Sequence, residues 1–381
     1  MRKTFKYKLY NSKHNKHLHS QVDIAASIYN HCIALHRRYY RLYNKSLNYY
    51  TLKKHLTKLK KLQRYSCWNT LNSQAIQNIA ERIDLGYKRF FDNLRSTSRR
   101  HVAPPSFRKR SKYRSITFTQ TGYKLLEGNR IRIGKRVYKF HKSREVEGTI
   151  KTLTIKRDTL GDFYLYFSCV VEDSQTDRTM TGKIAGFDFG LKIFLTSSDG
   201  SEIQAPLFHK KGLRSIQKAS RNLSSKKRGS NNRRKARQQL ARVHKKVANQ
   251  RNDYQFKLAR HLATTYDYLF FEDLNLDGMK RLWGRKVSDL AFDSFLQKLH
   301  YMAAVQGSSV HHIDRWFPSS KLCPECGTIN TDLNLRDRIW TCECGAVHHR
   351  DRTAANNILV EGASSTSLGD VRHLLADAIA A

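Results

Sequence analysis

The chain has 381 residues, enough for two or three domains with real cores, and its 39% apolar content excludes a disordered chain. Lys and Arg number 71 against 31 Asp and Glu, and the resulting +40 calls for a large polyanionic partner, nucleic acid first of all. No run of eighteen apolar residues marks a membrane span, the charge is spread rather than gathered on one amphipathic helix, and the basic start MRKTFKYKLY lacks the apolar core of a secretion signal.

Residues 1–10 alternate as a strand would. From Gln21 to about Tyr50 the period is helical, with Val22, Ala25, Ile28, Tyr29, Cys32, Ile33 and His36 on one face. His14, His17 and His19 before it read as a solvated polar turn. A second helix is expected from Asn72 to Leu94, with Ala75, Ile76, Ile79, Ile83, Tyr87, Phe90 and Phe91 as its core stripe. Between the two stripes, Arg37, Arg38, Tyr39, Tyr40, Lys53 and Lys54 suit a nucleic-acid face or a solvated one equally. Pro104-Pro105 ends this helical region.

Strands follow at Ser115–Thr119, Arg130–Ile133, Thr149–Lys156 and Phe163–Val171, the last two joined by the turn RDTLGD. They predict a small β-barrel or sheet that pairs with the N-terminal strand. The run FRKRSKYR leads into it, and Phe107, Arg108, Lys109 and Arg110 offer phosphate contact beside base stacking.

After Thr181 three short strands are expected, turning at Gly190 and at Asp199-Gly200. From His209 to His261 eighteen Lys or Arg face one acid, Asp253, on a long helix or helix pair. That imbalance favours a phosphate-tracking surface, with Lys226, Lys227, Arg228, Arg233, Arg234 and Lys235 at its densest point. TYDYLFFEDL reads as a buried strand ending in acids. SDLAFDSFLQKLHYMAAVQG reads as a helix capped by Ser288 with Gly307 past its end. Another strand, SSVHHIDRWF, precedes the cysteines; the short helix DRTAANNILVEG and a tail close the chain.

Cys323-x-x-Cys326 and Cys342-x-Cys344 are each followed by glycine, which permits the tight turn of a metal knuckle. Four soft ligands in two pairs suit a structural zinc ion with no open position for water, although the second pair is one residue shorter than the common spacing. The other three cysteines, Cys32, Cys67 and Cys169, read as buried small hydrophobes in a reducing compartment.

Asp188 in GFDFG and Glu272 in LFFEDL end buried strands, and Asp351 opens the last helix. If the two strands are parallel neighbours, the acids converge, and hard carboxylate oxygens at such a point bind Mg²⁺ or Mn²⁺. Two such ions serve phosphodiester hydrolysis. Taken singly, Asp188 could cap a turn, Asp351 could cap its helix, and Asp273 competes with Glu272. Arg350 suits a scissile phosphate or an ion pair with Asp351; His311-His312 and His348-His349 read as surface or supporting groups.

The stretches GFDFGLKIFLTSSDG, FFEDLNLDGM, WFPSSKLCPECG, WTCECG and HHRDRTAANNIL, with the weaker YNHCIAL, SQAIQN and PPSFRKR, resemble the TnpB family of transposon-associated RNA-guided DNA endonucleases. The likeness covers most of the chain. It implies an α/β multidomain protein with a RuvC-type, RNase H-like nuclease domain (181–318 and 349–366), into which a zinc ribbon (319–348) is inserted. It further implies a wedge β-barrel (1–12 and 105–180), a helical recognition domain (13–104) and a flexible tail (367–381). Asp188, Glu272 and Asp351 become the catalytic carboxylates and Mg²⁺ or Mn²⁺ ligands; Cys323, Cys326, Cys342 and Cys344 hold Zn²⁺. The implied partners are a guide RNA derived from the transposon end and target double-stranded DNA read beside a short flanking motif. A cytoplasmic, nucleoid-associated, prokaryotic ribonucleoprotein is expected, monomeric because the RNA neutralises the charge, and without a membrane. The ribbon is then an insertion before the last acid, set against the cleft to position substrate or the Asp351 helix. His349 and Thr353 stand where the family often has Asp and Asn, and Phe187 and Phe189 replace smaller aliphatics; none of these removes an acid. The competing readings are a cleavage-deficient RNA-guided repressor and a transposase-type nuclease.

Overall fold

An alternating strand does open the chain: β1 (Arg2–Lys8) buries Phe5 and Tyr7 on one face. The computed structural model describes residues 2–96, 101–172, 178–334, 336–366 and 368, and the chain divides into two units, 1–173 and 174–381. Apart from Leu368, the expected tail lies outside the described residues.

In the first unit, helix α1 (Asn15–Tyr43) starts six residues before the apolar period does. Its first turns are polar, yet Leu18 is fully buried and Asn15 Nδ2 donates to the Tyr10 carbonyl. His14, His17 and His19 therefore belong to this helix and its cap, not to a turn; His19 sits edge-on to Phe163 and hydrogen-bonds Arg157. The helix ends earlier than expected, at Asn44, whose left-handed backbone (φ 50) is a conformation asparagine tolerates. The predicted stripe from Val22 to His36 is buried throughout. Helices α2 (Tyr49–Leu59) and α3 (Ser73–Arg95) are capped by the side chains of Asn48 and Asn72. Along α3, Ala75, Ile76, Ile79 and Ile83 are buried, while Tyr87, Phe90 and Phe91 are half-buried at its far end.

A 3-10 helix (Gln63–Thr70) lies between α2 and α3 and corrects one expectation. Its only buried residue is Trp68, and Cys67 is exposed; Cys32 and Cys169 are buried as expected.

The remaining strands are β2 (Ser115–Phe118), β3 (Tyr123–Leu126), β4 (Arg130–Ile133), β5 (Arg136–Lys139), β6 (Thr149–Arg157) and β7 (Phe163–Val170). They form an antiparallel sheet ordered β1-β7-β6-β2 and a meander β3-β4-β5, so the N-terminal strand pairs as predicted. Both sheets feed one core that includes Tyr7, Phe118, Ile131, Phe140 and Phe167.

The second unit is built on a five-stranded sheet. Strands β8 (Ile184–Phe189), β9 (Ile193–Ser197) and β10 (Glu202–Gln204) are antiparallel neighbours. Helices α4 (Phe208–Ser224) and α5 (Asn231–Thr265) lead to β11 (Tyr268–Glu272), which pairs parallel with β8. Helices α6 (Leu276–Leu290) and α7 (Phe292–Gln306) lead to β12 (Ser309–Ile313), parallel to β11, giving the order β10-β9-β8-β11-β12. A two-stranded ribbon, β13 (Ile339–Thr341) and β14 (Val347–His349), precedes helix α8 (Arg350–Ser365).

The cationic region is thus a helix pair. Ser288 is no N-cap, because it lies inside α6; the break falls at Ala291, whose left-handed backbone (φ 52) carries no glycine or asparagine signal. Gly307 ends α7 as expected, in the left-handed region at φ 79. Among the described residues no helix is long and apolar enough to cross a membrane.

The sheet is covered on both faces. Phe187, Phe189 and Phe271 pack with Leu262 of α5 and with Phe292, Phe295 and Leu299 of α7. Phe270 faces Ile358, Leu359 and Ala363 of α8 on the other side.

Candidate functional site

Strand alternation fixes where the first two acids point. Phe187 and Phe271 are the last paired residues of β8 and β11, stacked 5.1 Å apart. Asp188 and Glu272 are the next residues on each strand, so both side chains fall on the opposite face from those rings. That face carries α8. A Cβ built on Gly186, two residues before Asp188, would lie 2.2 Å from the Ala355 carbonyl oxygen, and one on Gly362 would lie 2.2 Å from the Phe270 ring. Only glycine at these places allows α8 to lie this close to the sheet. Its first turn then brings Asp351 near Asp188.

The electrostatics record the convergence. Burial, then the negative charges of Asp351 and Glu272, push the Asp188 carboxyl up to about 7, against a partial pull downward from Arg350. Burial also raises Glu272, opposed by a hydrogen bond from Ser319. Three acids crowded so that one resists ionisation are a donor set that a hard divalent cation fits.

Two of the alternatives for single acids fall away, those for Asp351 and Asp273. Asp351 is inside the first turn of α8; His349 stands at the N-cap without a side-chain bond. Asp273 points away from Glu272 by alternation and is held by Arg315. Arg350 does not pair with Asp351: its guanidinium donates to the Asn334 carbonyl at 2.9 Å. The partner of Asp351 is Arg338, whose Nη1 lies 2.8 Å from each carboxylate oxygen. Arg338 reaches it because the Arg350 N–H donates to the Arg338 carbonyl, extending the ribbon ladder to the start of α8. Asn357 is the other residue the sequence reading passed over. Buried on α8, it donates to the Ser319 and Leu322 carbonyls and ties the helix to the base of the ribbon. Thr353 is buried without that amide, so Asn357 does the anchoring. Phe187 and Phe189, unusual beside Asp188, are spent on the aromatic core.

The four predicted cysteines do meet. Their sulfurs all lie within 4.8 Å of one another, with Cys326–Cys342 at 3.5 Å and Cys323–Cys344 at 3.8 Å. Gly327 and Gly345 after the two pairs take φ of +74 and +88, the turn conformation expected of them. Hydrogen bonding with Thr328 holds the Cys326 thiol low. Burial raises Cys323, and burial with the neighbouring cysteines raises Cys342, so four thiols this crowded resist ionising together without a cation. The set fits a tetrahedral thiophilic ion.

The predicted nucleic-acid residues are placed less uniformly. Phe107, Arg108, Lys109 and Arg110 are all exposed on a segment held by its backbone: Arg108 exchanges two hydrogen bonds with Asn30, and the Arg37 guanidinium lies over the Phe107 ring at 4.8 Å. Lys227, Arg228, Arg234 and Lys235 are exposed, and Lys226 is half-buried. Arg233 is turned inward, its Nη1 donating to the Leu223 and Lys226 carbonyls to close the turn between α4 and α5. The histidines also have local partners: His312 meets His300 at 3.2 Å, His311 packs on Tyr268, and His348 lies against the cysteines.

Comparison with known proteins agrees with this layout. Residues 167–282 match the OrfB_IS605 family model, described as "Probable transposase", and residues 292–358 match the Cas12f1-like TNB domain. A Streptomyces pristinaespiralis protein named "Putative RNA-guided DNA endonuclease" is 31% identical over 97% of this chain and 92% of its own. A "TnpB-like protein" of Acanthamoeba polyphaga mimivirus is 30% identical over 56% of this chain and 43% of its own. The fold is similar to a chain solved in a "Cryo-EM structure of the Cas12f1-sgRNA-target DNA complex", with TM-score 0.58, 15% identity and coverage of 94% of this chain and 98% of that one. By its identity across nearly the whole length, the chain belongs to the TnpB family.

Proposed function

We propose that the protein is an RNA-guided DNA endonuclease that cuts guide-matched DNA beside a short flanking motif by metal-dependent phosphodiester hydrolysis. The observation that carries the reading is the meeting of Asp188, Glu272 and Asp351, in which burial and then the two neighbouring acids push Asp188 up to about 7. The order β10-β9-β8-β11-β12 with three parallel strands supports an RNase H-like, RuvC-type domain around them. A Mg²⁺ or Mn²⁺ bound by these acids would activate water and stabilise the leaving oxygen. The chain's own part is to hold the ligands: β8 fixes Asp188, Ser319 orients Glu272, and α8 presents Asp351, whose oxygens Arg338 occupies until an ion displaces it. In the same reading the cysteine knuckle carries zinc and shapes the ribbon.

The first unit then supplies the wedge and recognition parts that hold guide RNA and read the flanking motif, with base pairing reading the target. The exposed Phe107–Arg110 segment and the cations of α4 and α5 (Arg233 excepted) track phosphates. The particle is a prokaryotic cytoplasmic ribonucleoprotein with one protein chain. Its nearest competitor is the transposase reading carried by the description of the family model over residues 167–282.

Co-expression with the flanking DNA, followed by sequencing of the bound RNA, begins the test. The complex is then given Mg²⁺ and a plasmid library with the guide-matched target beside randomised flanks. Motif-dependent cuts abolished by Asp188→Ala are expected. Motif-dependent binding without cutting makes the protein a guided repressor; joined strands make it a transposase; no discrete RNA overturns the guided reading.

A further inference from the structure

The cysteine knuckle holds a fifth polar group that the ligand count does not require. His348 of β14 is buried (7% exposed), opposite Trp340 in the ribbon register, with the two rings 4.6 Å apart. Its Nε2 lies 3.1 Å from Sγ of Cys323. Cys323 is fully buried, whereas Cys326 and Cys344 are exposed.

A metal-bound thiolate keeps negative charge on sulfur. Exposed sulfurs can shed that charge into water; a buried one needs donors from the protein. The Glu325 and Cys326 backbone N–H groups serve Cys323 from its own turn. Among the described residues His348 is the one side chain that brings an N–H to any of the four sulfurs. The sulfur spacings of 3.5 and 3.8 Å already suit a complete tetrahedral set, which leaves His348 outside it as a donor.

We propose that His348 donates its Nε2 hydrogen to the Cys323 thiolate of the metal centre and thereby fastens β14 to the metal. This rests on the reading of the four cysteines as a metal site. Because β14 runs directly into α8, the bond carries the metal's rigidity to Asp351 three residues later. His348 is a positioning residue, acting on the metal through Cys323 and on the acid through the backbone.

The test uses the full chain loaded with one Co²⁺ or Zn²⁺, in wild type, His348→Leu and His348→Gln. The expected wild-type cobalt spectrum is that of four thiolates. His348→Leu keeps that spectrum but binds the metal about 10- to 100-fold more weakly in chelator competition, as loss of an outer hydrogen bond to a ligand does. His348→Gln, which keeps an N–H at similar reach, recovers most of the affinity. A wild-type spectrum of three thiolates and one imidazole, with Cys344 open to a thiol reagent in the loaded protein, overturns the proposal by making His348 a ligand. Unchanged affinity in His348→Leu overturns it too. Should His348→Leu not fold, affinity in His348→Gln as poor as that of an Asn variant too short to reach the sulfur does the same. A wild type that takes up neither metal removes the metal site itself, a separate failure.

Discussion

The acidic cleft and the cysteine knuckle both gather side chains that share a charge when ionised, but the chain holds them in opposite ways. The acids are delivered by two parallel strands and a helix, with large apolar clusters on either face of the sheet. The knuckle has a cluster of four buried residues, Cys323, Leu333, Trp340 and Cys342, and two of these belong to the cysteine set itself. The cleft is therefore shaped by its own core, and burial together with the charges of Asp351 and Glu272 raises the Asp188 carboxyl. The knuckle has little core of its own, so in the proposed reading a bound metal would be part of its fold.

The sharpest break in that comparison is to remove one acid from the cleft and the two buried cysteines from the knuckle. Asp188→Ala is expected to lower cleavage by roughly 10⁴-fold or more, as loss of a group that acts as part of a unit does. Thermal unfolding of the metal-free protein should be unchanged or slightly higher, since the substitution relieves a crowded acid. Cys323→Ser with Cys342→Ser should do the reverse to structure. The ribbon loses on the order of 10 kcal/mol of local folding free energy. Limited proteolysis then cuts between residues 321 and 346, while circular dichroism retains the sheet and long helices. An intact ribbon after ligand loss would show that it folds without metal.

The burial and crowding of Asp188 predict a pH dependence. Asp188 binds its proton more tightly folded than unfolded, so between the ordinary carboxylate value near 3.8 and about 7 the folded state holds the extra proton. Its contribution is fully present below pH 4 and is lost as pH rises toward 7, by at most about 1.4 kcal/mol per pH unit. Glu272, raised by burial, adds in the same direction. Denaturant melts of metal-free protein across pH 4 to 8 should show this slope, and Asp188→Asn should flatten it.

The smallest expected effect belongs to Arg338. Its ion pair with Asp351 is about half exposed on the arginine side, so Arg338→Ala costs under about 1 kcal/mol of stability. Mn²⁺ binding to nucleic-acid-free protein should become a few-fold tighter, because no guanidinium then competes for the two oxygens. Weaker Mn²⁺ binding would mean that Arg338 orients Asp351 for the ion.

How much of this was readable without coordinates differs between the same two places. Asp188 and Glu272 were legible because each ends a run whose apolar character demands burial, and a charged residue there needs a reason; Asp351 opens a helix, and the family resemblance singled it out. The cysteines were legible from spacing and the glycines that follow. Arg338 was not, since nothing in RDRIW distinguishes it among 71 cations; it reaches Asp351 only through the register of the ribbon. Arg233 was read as a phosphate contact for the same reason, and the turn between α4 and α5 took its guanidinium instead. Cys67 was misread because its aromatic neighbours suggested a core, but in a 3-10 helix adjacent residues face different ways, and only Trp68 turns inward. The start of α1 was missed because its first turn is held by Asn15 and Leu18 within a polar run. The Ser288 cap failed because an alanine, not a glycine, makes the break before α7.

The most direct test of the account compares wild type and Asp188→Ala as the same purified ribonucleoprotein, on one guide-matched plasmid, with Mg²⁺ and with chelator. The account predicts equal target binding by both, cutting by wild type with Mg²⁺ alone, and none by Asp188→Ala. Cutting that survives in Asp188→Ala, or proceeds in chelator, would contradict it.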